Sequence, residues 1–192
     1  MNIKLSLLTL VTVLLCTSVS SQNNPKSQRQ ETNKSTEIVP IDKTTNKIQY
    51  REVVKVQGTQ EELFNRAIEW INTEYKNPVA VTRVRNPHTG IIDIIHRIEV
   101  KKEVDKVEKT VGVIDYFLKL ELKENRYRYT INDFILRGVS RYPIENWLDT
   151  SARDYSPDMA NYLKQVDDFC KGLISRLKEG MQPQVAPVEE DW

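Results

Sequence analysis

The 192-residue chain is 39% hydrophobic and 29% charged, with 28 Lys and Arg against 27 Asp and Glu. That length suits one domain with tails, or two small domains at most. The near-zero balance excludes a dedicated nucleic-acid binder, which needs a basic excess or stripe, and an acidic scavenger of cations.

The first residues read as a targeting segment. Lys4 supplies a positive start, Leu5 to Leu15 is an apolar run, and Thr17 to Gln22 brings small side chains. This is the pattern of a secretory signal peptide over residues 1–21, cleaved after Ser20 or Ser21. The run is too short to span a bilayer as a helix. Cys16 raises a second reading, lipidation of an exported protein, which Leu15 just before it disfavours; only that reading brings membrane attachment. Cleavage removes Lys4 and no carboxylate, so the remaining charge is zero with histidine neutral. It also leaves Cys170 as the sole cysteine, so no intramolecular disulfide forms, and Cys170 with two histidines cannot build a zinc cage. No metal or other cofactor is expected, and no glycine-rich phosphate loop is found.

Residues 22–47 are rich in Asn, Gln, Ser, Thr and Lys, and read as a disordered polar tether that buries too little surface to offset ordering entropy. Residues 48–180 read as one globular domain. Tyr50 to Val56 is a first strand. Thr59 and Glu62 form a T-x-x-E capping box opening a helix to about Tyr75, with Leu63, Phe64, Ala67, Ile68 and Ile71 on one apolar stripe. Val79 to Val84 is predicted as a second strand, Asn86 to Gly90 as a turn, and Ile91 to Val100 as a third strand. Lys101 to Lys109 is a charged connection read as a ribbon extension tipped near Asp105-Lys106. Gly112 marks a bulge, because the apolar phase changes around it.

Ile114 to Leu122 and Arg126 to Ile135 alternate with period two. Folding at Glu124-Asn125 sets Leu122, Leu120 and Leu118 opposite Tyr127, Tyr129 and Ile131 on one face, and Glu121 opposite Arg128 on the other. A one-residue slip would oppose apolar to polar side chains, so the register is well specified. Ile144 to Leu148 is read as one helical turn. Ser156-Pro157 then opens a final amphipathic helix ended by Gly180. Residues 181–192 form a disordered acidic tail. The expected fold is α+β, an antiparallel sheet of about five strands in the order β-α-β-β-β-β-α, with two helices on one face and the other face wet.

The stretch Val54-Lys55-Val56-Gln57-Gly58-Thr59, followed by Glu62 to Trp70, resembles the start of the bacterial family known as domain of unknown function 4468. The stretch Lys123 to Ile131, a tight hairpin into Arg126-Tyr127-Arg128-Tyr129, resembles its second hallmark. The likeness covers about Tyr50 to Ile135 and implies a fold like that of the TATA-box-binding protein (TBP-like), a source in the Bacteroidota and an exported protein. It implies no catalytic residues. The excursion Lys101–Lys109 and the long tether depart from the family pattern.

Alternation puts Tyr127 and Tyr129 in the core rather than on a stacking platform. Together with export and zero charge, it argues against DNA binding despite the fold name. His88 sits in a turn and His96 at the edge of the core, while Asp93 points to the opposite face, so no metal or general-base site is assembled. Ser140, Ser151 and Ser156 lack an elbow motif, and Cys170 lies on an apolar helix stripe as an inert thiol. The wet face carries the candidate interaction surface: Phe117, Lys119, Glu121, Arg126, Arg128 and Phe134, with an envelope protein or a glycan as partner. The expected function is a non-catalytic binding module of the cell envelope, periplasmic or secreted; the rival is an enzyme or enzyme subunit with an unrecognised site.

Overall fold

The computed structural model describes residues 38–183. The signal segment with Cys16, residues 22–37 of the expected tether and residues 184–192 of the expected tail lie outside them. The elements are β1 (Ile41–Asp42), β2 (Lys47–Ile48), β3 (Tyr50–Lys55), α1 (Gln60–Glu74), α2 (Pro78–Val81), β4 (Thr82–Asn86), β5 (Ile91–Val104), β6 (Val107–Lys123), β7 (Arg126–Leu136), β8 (Tyr142–Pro143), a 3-10 helix (Ile144–Leu148) and α3 (Asp158–Gly180). The main sheet runs β3-β7-β6-β5-β4, with β8 on β7, and every pairing is antiparallel. The α+β class holds, with more strands than the five expected.

The central hairpin has the expected register: Leu122 faces Tyr127, Leu120 faces Tyr129, Leu118 faces Ile131 and Glu121 faces Arg128. All six apolar residues are buried. α1 carries the expected capping box, with Thr59 Oγ1 accepting from the Glu62 amide at 3.2 Å and Glu62 Oε2 accepting from the Thr59 amide at 2.8 Å. Leu63, Phe64, Ala67, Trp70 and Ile71 of α1 and Leu163, Val166, Cys170, Leu173 and Leu177 of α3 enter one core with the inward sheet residues. Two helices thus cover one face, and burial of this apolar surface drives the assembly.

The charged excursion is an extension of β5 and β6. Asp105 and Lys106 turn it with φ of 54° and 63°, the left-handed pair that suits a two-residue hairpin. Val100 faces Gly112 while Lys101 faces Thr110, so Val111 is the extra residue of a bulge. Gln165 of α3 clamps the ribbon, accepting from the Lys101 amide at 2.9 Å and donating to the Lys101 carbonyl at 2.8 Å.

Several expectations are corrected. Residues 38–47 do not belong to a tether: Val39 and Ile48 are buried, and Asp42 ties the β1–β2 turn by accepting from the Thr44 and Thr45 amides at 2.9 Å each. Val39, Ile41 and Ile48 suffice here because they join an existing core. Val79 begins no strand; Asn77 caps the short α2, accepting from the Ala80 amide at 3.1 Å with Pro78 in the first turn. Gly180 is the last residue of α3, as expected, and a Cβ there would meet Trp70 Cδ1 at 2.9 Å, so this glycine permits a close approach. Met181 is buried, so the core extends one residue past the predicted domain end.

The correction that matters for function is Phe134. Phe117 faces Asn132 and Asp115 faces Ile135, so Asp133 and Phe134 together oppose Tyr116. Asp133 adopts φ 53°, is exposed, and pairs with Lys47 at 2.9 Å. This bulge reverses the alternation. Phe134 is turned into the core, fully buried with its ring 6.1 Å edge-on from Tyr50, and Ile135 is turned out.

Candidate interaction surface

The uncovered face of the sheet is built from outward residues of β5, β6, β7, β3 and β4. At one end Ile95 lies opposite Phe117 and Phe117 opposite Asn132. The β7 bulge adds Ile135. Ile95 is 38% exposed, and Phe117 and Ile135 are half-buried. The segment after β7 carries fully exposed Val139 past this patch, and together they line a hollow of about 630 Å³. Its polar wall is Asp115 with Arg137, whose Nε donates to both carboxylate oxygens at 2.8 and 2.9 Å. Asp115 holds the Arg137 guanidinium above its ordinary value through that hydrogen bond and its charge.

In the middle of the face Lys119 stands between Asp93 and Thr130. Asp93 Oδ1 and Asn132 Oδ1 are buried acceptors without a hydrogen-bond partner. Burial pushes the Asp93 carboxyl above its ordinary value; Lys119 opposes the shift and Glu121 adds to it. The far end is polar. Glu121 and Arg128 form a 2.5 Å ion pair, and beyond them Lys55, Arg126 and Lys123 stand side by side on β3, β7 and β6.

Five of the six predicted surface residues therefore share this face: Phe117, Lys119, Glu121, Arg126 and Arg128. Phe134 does not, for the reason given above. Ile95 and Ile135 were missed. Ile95 had left a signal, because Ile91-Ile92 and Ile94-Ile95 break the alternation and point to a strand apolar on both faces. Ile135 had left none.

The other candidate chemistry falls apart spatially. His88 is exposed in the β4–β5 turn. His96 packs against the rings of Tyr75 and Tyr116 with centroids 5.0 and 6.2 Å away. Those two phenols meet at 3.2 Å, and burial pushes both above the usual tyrosine value. Burial also pushes up the thiol of Cys170, which keeps it from ionising. Among the described residues, no group of three or more His, Cys, Asp and Glu is placed to hold a metal. Nor is any helix among them long and apolar enough to cross a membrane.

The strands that build the face carry the family signature. Residues 50–136 match DUF4468, a domain of unknown function with a TBP-like fold. The DUF4468 segment runs from the first residue of β3 to the last of β7, so Ile95, Phe117 and Ile135 lie within it and the Arg137–Arg141 segment lies just beyond. The fold extends further than the matched residues. The chain is similar to a crystallised TBP-like protein from Parabacteroides distasonis, with 17% identity and a TM-score of 0.61 over 78% of this chain and 100% of that one. It is also similar to a crystallised DUF4468 family protein from Bacteroides ovatus, with 14% identity and a TM-score of 0.59 over 79% and 95%. At such identities the likeness shows the fold alone. None of the curated proteins compared matches the chain.

Proposed function

We propose that this chain is a non-catalytic interaction module of the bacterial envelope that binds a protein partner on the open face of its DUF4468 sheet. The observation that carries this reading is the patch of Ile95, Phe117 and Ile135, uncovered by any described element and walled by the Asp115–Arg137 pair. An apolar centre with a polar rim is the anatomy of a recognition surface. The two partnerless acceptors, Asp93 Oδ1 and Asn132 Oδ1, favour a partner that supplies hydrogen-bond donors. Protein is favoured over glycan because the aromatic is half-buried among aliphatic neighbours rather than standing free as a flat stacking platform. Export is supported by the charged start, apolar run and small residues of the first 21 positions.

The test is crosslinking in cells of the native host, followed by capture of the chain and of a Phe117→Ala/Ile95→Ser variant. The expected result is a partner recovered with the parent and lost with the variant, at unchanged thermal stability. Recovery of the same partners with both would sink the reading. Mass spectrometry of the mature N-terminus decides the export: a start at Ser21 or Gln22 supports the soluble form, and an intact Met1 contradicts cleavage.

A further inference from the structure

The end of α3 and the free cations of the sheet meet at the same edge. β3 is an edge strand, paired only with β7 within the main sheet. The last turn of α3 lies over it, with Lys178 Nζ donating to the two Glu52 carboxylate oxygens at 2.7 and 3.0 Å. Arg66 Nη1 joins the Gln57 carbonyl, at 2.7 Å, to the Met181 carbonyl, at 3.4 Å. The chain therefore leaves α3 beside residues 52–57.

Round that edge, on the open face, stand Lys55, Arg126 and Lys123. All three are exposed, and none forms an ion pair among the described residues. Like charges directly opposite on adjacent strands repel, so the row gains from any counter-anion laid across it. Beside it Val53, 55% exposed, lines a hollow of about 210 Å³ together with Lys123, Arg126, Tyr127 and the Glu121–Arg128 pair.

The sequence after Pro183 supplies the matching chemistry: Glu189, Glu190 and Asp191 followed by Trp192. We propose that this acidic, aromatic-ended segment docks on the Lys55–Arg126–Lys123 row, its carboxylates against the three cations and its indole against Val53. Nine extended residues reach about 30 Å, several times the spacing needed to round one strand of a sheet. Because the segment is tethered, its effective concentration is about millimolar, and weak, salt-screened pairs are enough to hold it. The row is thus an acidic-peptide site filled in cis, and an external acidic segment must displace the tail to use it. This inference is independent of the Phe117 patch at the other end of the face.

Two-dimensional amide NMR on the full chain tests it against a variant ending at Pro183. The expected result is a set of shifts at Val53, Lys55, Lys123 and Arg126 on truncation, reproduced in the full chain by about 1 M salt, where the screening length is about 3 Å. Glu189→Lys/Glu190→Lys/Asp191→Lys should give the truncated spectrum. Adding Lys55→Glu/Lys123→Glu/Arg126→Glu to that chain should restore docking, read as renewed sensitivity of Val53 to truncation. Unchanged amides at these positions on truncation would overturn the proposal. So would shifts confined to another surface, or a double charge reversal without rescue.

Discussion

The phenol of Tyr50, in the first strand of the main sheet, donates to Asp167 Oδ1 in the middle of α3 across 3.0 Å. The carboxylate is almost wholly buried and receives a second bond from Lys171 Nζ at 2.6 Å. The same Tyr50 ring packs edge-on against Phe134. One side chain thus joins the edge strand, the β7 bulge and the last helix. Burial first, and then the neighbouring Cys170 and Asp167, raise the Tyr50 phenol above its ordinary value, so it remains a donor. Tyr50→Phe keeps the ring contact and removes only the hydrogen bond. A loss of about 1.5–3 kcal/mol is expected in urea unfolding, as for a bond to a charged group; an unchanged midpoint would show that the bond adds no net stability.

Phe117 and Phe134 sit on opposite faces despite the spacing that aligned them in a simple alternation. Phe134→Ala opens a cavity beside Tyr50 and should cost about 3–5 kcal/mol. Phe117→Ala on the open face should cost less than about 1 kcal/mol, since the half-buried ring loses less buried area. Comparable losses from the two variants would contradict the bulge at Asp133.

Two carboxylates should leave pH signatures of opposite sign. Glu52 is held below its ordinary 4.5 by Lys178 and then by Tyr129. Its contribution is full above 4.5 and is lost as pH falls through the lower folded value. Asp93 is raised above 3.8 by burial; its penalty is present at neutral pH, fades as pH falls through the raised value, and is absent below 3.8. Glu52→Gln should therefore destabilise at pH 7 and Asp93→Asn should stabilise, each by less than about 1 kcal/mol given their solvent contact. Urea midpoints measured from pH 7 to pH 3 should bring both variants back toward the parent.

Gly172 and Gly180 lie in the same helix and should respond oppositely to alanine. A Cβ at Gly172 meets only the far end of Arg176, at 3.2 Å, which moves aside easily. Gly172→Ala should gain about 0.5–1 kcal/mol of helix propensity. A Cβ at Gly180 lies 2.9–3.2 Å from three atoms of buried Trp70. Gly180→Ala should lose about 1–3 kcal/mol through overpacking. Thermal unfolding of the pair checks the contrast in sign.

Much of the architecture was legible because its signals are local. Thr59 and Glu62 are three residues apart and cap the helix between them. Leu118 to Leu122 and Tyr127 to Ile131 carry their register in their own alternation, since a slip exposes every apolar side chain at once. The candidate surface was legible only as far as that alternation runs unbroken, which is from Phe117 to Asn132, just before the bulge at Asp133.

The residues alone determined the order of the main elements, β3, α1, β4, β5, β6, β7 and α3, the face that Tyr127 and Tyr129 take, and the turn that joins their strands. Tertiary packing decided the rest. Phe134 turns inward because Tyr50 and the core receive it while Lys47 holds Asp133 outside, contacts made by residues some 85 positions away in the chain. Val39 is ordered because it has a core to join. Lys178 meets Glu52, and so brings the end of α3 beside the cations of β3, only once helix and sheet are packed. Periodicity reports which side chains want burial; which neighbour receives them depends on the assembled layers.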